Sequence, residues 1–527
     1  MQIIDEYDVY FEGVGIRIQI YKQEDKFVPT YEAGILELGT YTKAVVAKIK
    51  EDLLREGVVD SFSRKEGLTY DEIKQAYISK IKELLEYYLP NLDFDDKAKV
   101  LTVILQTSFD LGFVDILVSD SNIEEITLNG AKKHIMVYHR KHGWLETNLT
   151  FEEDSEIRNI ATRVAMENKK FFSNLNPLLD AHLLGGHRVN ATLSPISTEG
   201  STMTIRRFSD KPWTISDLIK VGTSTPIGLA LIWLAIENEF SIIVVGGTGS
   251  GKTSFLNAIS GFIPASQRII SVEDTREVRL PTYSHWIPME ARAANQEGKG
   301  QVSMIDLIVN SLRMRPDRIL IGEIRRKEEA EVLFEAMRTG HSVYGTFHAN
   351  TASEMVLRMS SAPISVPKIT LNSLGLIVVQ HRNRRSGRRV TLQIAEMTPE
   401  GDSRVIFQLN PKTDQLEMKR TPKYFLEKLE EFNGIDKEEF AREIKHRAWF
   451  LNALSKMEIN DITEVGKYIN QYQTHKKTLF TKFSKILEKI DAKEKKLEKK
   501  QSKKLEHKST QNVQKNTLSA PKNSVKS

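Results

Sequence analysis

Cysteine is absent from all 527 residues. That excludes a disulfide framework, a thiolate nucleophile and any zinc site built on cysteine. Long apolar runs are missing as well. The longest, Ile227 to Ile236, is far short of the roughly 20 residues that a membrane-spanning helix needs. The N-terminus lacks the basic start and apolar core of a signal peptide. The expected protein is soluble or, at most, peripheral to a membrane. Stacking aromatics interleaved with basic residues, the pattern of a single-stranded nucleic-acid channel, are not found, so no nucleic-acid partner is expected.

Acids are scarce in one region. Between Lys476 and Ser527, sixteen lysines face five acids, 16 − 5 = +11, so the net charge of +5 leaves 5 − 11 = −6 for the rest. Residues 476–527 read as a Lys-rich, disordered tail that could touch an anionic lipid surface.

The length calls for two or three folded domains. Residues 1–92 are expected to form a small helical module. Thr69 and Glu72 make a capping box, and Ile73, Tyr77, Ile81, Leu84, Leu85 and Tyr88 recur at helical spacing up to Pro90. Residues 93–208 mix helical stretches with short strands and read as α+β. Residues 209–222 carry Pro212 and a capping box at Thr214 and Asp217, which predicts a linker and hinge. From 223 to 475 apolar runs alternate with helices, the α/β pattern of a parallel sheet, and a helical end follows around Trp449, Phe450 and Leu454.

The α/β segment is organised around an apolar run, Ser241 to Val245, that stops in Gly246-Gly-Thr-Gly-Ser-Gly-Lys-Thr253. This is a P-loop signature. Gly246, Gly247, Gly249 and Gly251 let backbone N–H groups face a phosphate chain without Cβ interference. Thr248, Ser250 and Ser254 complete the loop and the start of the helix. Lys252 is expected to neutralise the β- and γ-phosphates of ATP, and Thr253 to hold Mg²⁺.

Three further apolar runs end in polar groups, at Glu273-Asp274, Gly322-Glu323 and Thr346-Phe347-His348. In parallel α/β sheets the carboxyl ends of strands line the ligand crevice. Glu323 is the first choice to hold Mg²⁺-bound water or orient the attacking water, with Glu273 and Asp274 as second-choice carboxylates. His348, at the carboxyl end of its strand, is the histidine expected at the γ-phosphate; His341, seven residues earlier, faces the other way if the run is extended.

Taken together, Gly246 to Thr253, Ile270 to Thr275, Arg315 to Arg325 and Thr339 to His348 resemble the Walker A, Asp box, Walker B and His box of the type II/type IV secretion ATPases. Asn122 to Gly130, Gly186-x-Arg188 and Ser201 to Arg207 are similar to the domain that precedes the motor in that family. The resemblance implies a RecA-like P-loop NTPase domain, a PAS-like domain before it, and a homo-hexamer that uses ATP and Mg²⁺. It implies a polytopic membrane platform protein as partner in filament assembly, and a cytoplasmic location at the inner face of the membrane. Arg188, Arg206 and Arg207 are then expected to reach the γ-phosphate from the upstream module. Arg326, where bacterial members usually carry Asp, the missing four-cysteine element and the helical end around Arg447 to Asn452 look more like the archaeal pilus and archaellum ATPases. The competing reading is a RecA-like nucleic-acid motor.

Overall fold

The computed structural model describes residues 1–11, 14–34, 39–55, 70–108, 111–168, 170–183, 185–208, 211–292, 294 and 299–517; side chains beyond residue 490 lie outside the description. The capping residue Thr69 and the Ile73 side chain lie outside it too. The chain divides into two compact units, Met1–Asp210 and Lys211–Ser527.

The first unit opens with β1 (Gln2–Phe11), β2 (Val14–Lys22) and β3 (Thr30–Ala33). This corrects the expectation of a helical module over 1–92. Val14, Ile16, Ile18 and Ile20 are buried while Gly15 and Arg17 are exposed, a period of two that only an extended strand satisfies. Helices follow as α1 (Thr40–Arg55), α2 (Tyr70–Tyr88) and α3 (Phe94–Ser108), with their own core around Ile49, Ile81 and Ile104. After the short α4 (Val114–Ser119) come β4 (Ile123–Leu128), β5 (His134–His139), β6 (Gly143–Thr150), α5 (Asp154–Glu167), β7 (Leu178–His182), β8 (Arg188–Thr192) and β9 (Thr202–Arg206). All nine strands join one sheet in the order β1-β2-β3-β6-β5-β4-β9-β8-β7, so the N-terminal strands extend the sheet of the α+β segment. Among its pairings, β3 with β6 is parallel and the others are antiparallel.

The second unit begins with α6 (Ile215–Lys220), whose Thr214 cap accepts from Asp217 N as the capping box predicts. Next is α7 (Pro226–Glu237), opened by Thr225 and Pro226. The remaining elements are β10 (Ile242–Gly246), α8 (Lys252–Ser260), β11 (Ile269–Glu273), β12 (Trp286–Glu290), α9 (Met304–Ser311), β13 (Arg318–Ile321), α10 (Lys327–Arg338), β14 (Ser342–Phe347), α11 (Ala352–Ser360), a 3₁₀ turn at Lys368–Ser373, β15 (Leu376–Arg382), β16 (Arg389–Met397), β17 (Ser403–Asn410), β18 (Gln415–Met418), α12 (Tyr424–Asn433), α13 (Lys437–Lys456) and α14 (Ile462–Thr517).

The sheet order is β12-β11-β13-β14-β10-β15-β16-β17-β18. Strands β12 through β15 run parallel and the last three antiparallel. Both faces are covered, which is why β10 reads as an unbroken apolar run. Ile242 and Val244 enter the core shared with α7, α8, α13 and α14, while Ile243 and Val245 enter the core shared with α9, α10 and α11.

Helix α7 is buried nearly all round, with Leu229 to Ile236 at most 2% exposed. At about 1.5–3 kcal/mol for each large apolar side chain removed from water, it anchors the layer beneath the P-loop strand. Arg447 of α13 lies 4.5 Å over the Trp233 ring and pairs with Glu237.

Residues 476–527 are not a tail from their first residue onward. Helix α14 bends at His475 and continues to Thr517. Leu479 and Phe483 are 5% and 0% exposed in the core, and Phe480 stacks on Trp449 at 4.6 Å. Apolar residues at spacings of three and four bury one helical face even where lysine dominates the composition.

Candidate nucleotide site

The order β11-β13-β14-β10 sets the carboxyl ends of four parallel strands side by side along one edge. The P-loop leaves β10 at Gly246, level with Gln380 of β15. A Cβ on Gly246 would stand 2.4 Å from the Gln380 carbonyl oxygen and 2.4 Å from Ser250 Oγ, so glycine is required there. Gly249 and Gly251 have φ of +71° and +87°, the left-handed turns that wrap the loop back on itself. Gly251 is also the N-cap of α8 and supplies no capping side chain, leaving the first N–H groups of that helix to another acceptor. Lys252 Nζ donates to Gly247 O at 3.3 Å, which folds the lysine over the loop.

The neighbouring strand ends complete the edge. His348, just past β14, has Nε2 3.3 Å from Thr248 Oγ1 of the P-loop. Its Nδ1 is buried without a hydrogen-bond partner among the described residues. His341 precedes β14, at the opposite end of the strand, beside Thr339 Oγ1 at 3.4 Å. Past β13, Glu323 is joined to Asp274 through Arg325, which donates from Nε to Glu323 Oε2 at 2.8 Å and from Nη1 to Asp274 Oδ2 at 2.5 Å. Thr346 Oγ1 donates to Gly322 O at 2.6 Å and fixes the turn on which Glu323 stands. Glu329 accepts from the backbone N–H of Arg325 and Arg326 and starts α10.

The second-choice carboxylate is differently placed. Glu273 is 1% exposed. Its Oε1 accepts from Glu277 N at 2.9 Å and Val278 N at 3.0 Å, while Oε2 is buried without a partner among the described residues. Burial pushes its pKa up to about 7, against those two backbone bonds, which pull it down. Glu273 therefore holds the loop after β11, whereas the Glu323 side chain is 26% exposed.

The three upstream arginines belong to the first unit. Arg188 on β8 is paired with Asp180 on β7 at 2.8 Å and stands in register with Arg206 of β9. Arg206 is exposed. Arg207 turns inward and donates to Asp120 O at 2.7 Å and Ile123 O at 3.1 Å.

The antiparallel edge also reaches the loop. Arg389 Nε donates to Gly249 O at 3.0 Å. The signal is visible in His381-Arg-Asn-Arg-Arg-Ser-Gly-Arg-Arg389, a carboxylate-free run at the end of an apolar strand. Arg325 lies inside the run that resembles Walker B, where the sequence alone gives it no role.

Residues 107–411 match the family described as type II/IV secretion system protein. The chain belongs to that family. An uncharacterized protein of Methanocaldococcus jannaschii is 35% identical over 348 residues, which take in 64% of this chain and 46% of that relative; the chain thus spans about half of its length. The type IV secretion system protein PtlH of Bordetella pertussis is 29% identical over 310 residues, covering 52% of this chain and 91% of PtlH. The X-ray structure of the Legionella pneumophila ATPase DotB matches at 20% identity and a TM-score of 0.43, over 69% of this chain and 96% of DotB. Among the described residues no helix is long and apolar enough to cross a membrane.

Proposed function

We propose that this chain is a Mg²⁺-dependent ATPase of the secretion type, a RecA-like motor that works as a homo-hexamer. Its output is assembly of a pilus-like or archaellum filament through a polytopic membrane platform protein. The observation that carries the reading is the juxtaposition of the P-loop with His348: a phosphate-binding turn touched by a polar group from the neighbouring strand end.

Phosphoryl transfer asks little covalent help of a protein. It asks for clamps, a placed water and positive charge as the transition state forms. Lys252 neutralises the β- and γ-phosphates, and the uncapped N-terminus of α8 receives phosphate oxygens. Glu323 orients water. Thr253 and the nucleotide's own oxygens would hold a magnesium ion, with Asp274 and Glu323, the carboxylates past β11 and β13, meeting it through water. The ion supplies charge neutralisation between the phosphates. Of the upstream arginines, exposed Arg206 is the first choice for the γ-phosphate, because Arg207 already serves two backbone carbonyls and Arg188 a carboxylate.

The test is steady-state phosphate release by the full chain with Mg²⁺ and ATP, alone, with anionic vesicles and with single-stranded DNA. Turnover that Lys252→Ala abolishes and that vesicles stimulate supports the proposal. Stimulation by DNA alone would favour a nucleic-acid motor, and a wild-type chain without turnover would overturn the enzyme reading.

A further inference from the structure

The geometry points to Arg389 as the positioning residue that sets the working shape of the P-loop, an inference that rests on the nucleotide reading above. Parallel pairing places Gln380 of β15 level with Gly246 of β10, so Arg382, two residues on, runs beside the loop; its antiparallel partner is Arg389. Arg389 is 140 residues from Gly249 along the chain, yet its Nε donates to the Gly249 carbonyl at 3.0 Å. Its Cδ stands 3.5 Å from where a Cβ on Gly251 would be, and Arg382 Nη1 stands 3.2 Å from the same point on Gly249. The two arginines thus lie against the two left-handed glycines of the loop.

A trans peptide is planar, so holding the Gly249 carbonyl fixes the Ser250 N–H on the opposite side. There it donates to Gly247 O at 3.3 Å and closes the turn at the tip of the loop. Arg389 pins this turn from outside, and the phosphates take its inner face. The two guanidinium charges also add to the positive potential that Lys252 supplies. Without Arg389 the loop spends time in shapes that bind no phosphate, and apparent affinity falls by the fraction lost, while a complex once formed reacts as before.

The experiment compares wild type, Arg389→Ala, Arg389→Lys and Arg385→Ala in the full chain, by ATP titration and by steady-state kinetics. Arg385 is exposed at the tip of the same hairpin, so its variant removes equal charge without touching the loop. Arg389→Ala is expected to weaken ATP binding and raise KM about 10-fold with kcat within about two-fold, the size of a lost charge-assisted hydrogen bond. Arg389→Lys, which keeps a donor, is expected to recover most of that loss, and Arg385→Ala to change little. Should Arg389→Ala unfold, Arg389→Gln decides instead, because it keeps an N–H donor without the charge: affinity close to that of Arg389→Lys supports the clasp, and a loss in Arg389→Gln that Arg389→Lys does not show assigns the effect to charge and overturns it. Unchanged affinity in Arg389→Ala, or a loss matched by Arg385→Ala, overturns the clasp alone. A wild-type chain that binds no ATP overturns the nucleotide reading as well.

Discussion

Arg325 donates to Glu323 Oε2 at 2.8 Å and carries Asp274 on another nitrogen of the same guanidinium, so Glu323 is held by a cation from its own turn. Glu273 by contrast spends one oxygen on two backbone N–H groups. The two acids therefore fail differently when changed. Glu323→Gln preserves shape and, on the proposed water-orienting role, is expected to lower turnover by about 100-fold or more with ATP affinity nearly unchanged. Phosphate release and nucleotide titration on one preparation check this. Near wild-type turnover would assign the water-orienting role elsewhere.

Glu273 makes stability depend on pH. Burial lifts its carboxyl from 4.5 to about 7. The folded state then binds a proton that the unfolded state has released, so stability from this group is intact below about 4.5 and is lost as pH rises through about 7. The full loss is on the order of 3 kcal/mol. Glu273→Gln titrates nothing here and is expected to flatten the difference between denaturant midpoints at pH 5 and pH 8, measured without nucleotide. Parallel pH profiles for wild type and variant would show that the acid is solvated or paired.

Much of the nucleotide edge was legible because its chemistry is local. Glycines, lysine and threonine follow one strand within a few residues, and Glu323 and His348 sit just past the ends of strands whose residues are all buried. Where a role depended on residues far apart, composition misled. Ile16, Ile18 and Ile20 alternate cleanly, but their strand finds its place only through β3 against β6, more than a hundred residues later. Arg389 looks like one solvated arginine among several until the β10 and β15 register brings it to Gly249. Phe483 hides in a lysine-rich run whose average says tail although one face says core.

Gly246→Ala tests the packing of the loop against its sheet. The new methyl would meet Ser250 Oγ, which can rotate, and the Gln380 carbonyl, which parallel pairing holds in place. A cost of about 2–3 kcal/mol is expected, as for overpacking, together with loss of ATP binding. Gly387→Ala makes the contrast: φ is +71° there with nothing within 4 Å, so backbone strain of about 1 kcal/mol is all that it meets. Denaturant midpoints for the pair decide, and equal shifts would mean that the loop yields.

Two truncations separate core from tail in α14. Removing 491–527 takes eleven lysines and four acids, 11 − 4 = +7, and few apolar residues. Thermal stability and basal turnover are expected to stay as they are, while co-sedimentation with anionic vesicles weakens, because each basic residue near such a surface contributes about 1 kcal/mol. Removing 476–527 also takes Leu479 and Phe483 from the core, the Phe480 stack on Trp449 and the ion pair of Lys476 with Glu443. Loss of one buried phenylalanine alone costs about 3–5 kcal/mol. That protein is expected to melt far lower, and to lose turnover as α13 loosens from α7, where Arg447 lies on Trp233. If both truncations melt alike, the aromatic contacts past His475 contribute nothing to the fold. If the shorter deletion leaves vesicle binding unchanged, the lysines beyond residue 490 are not what meets the membrane.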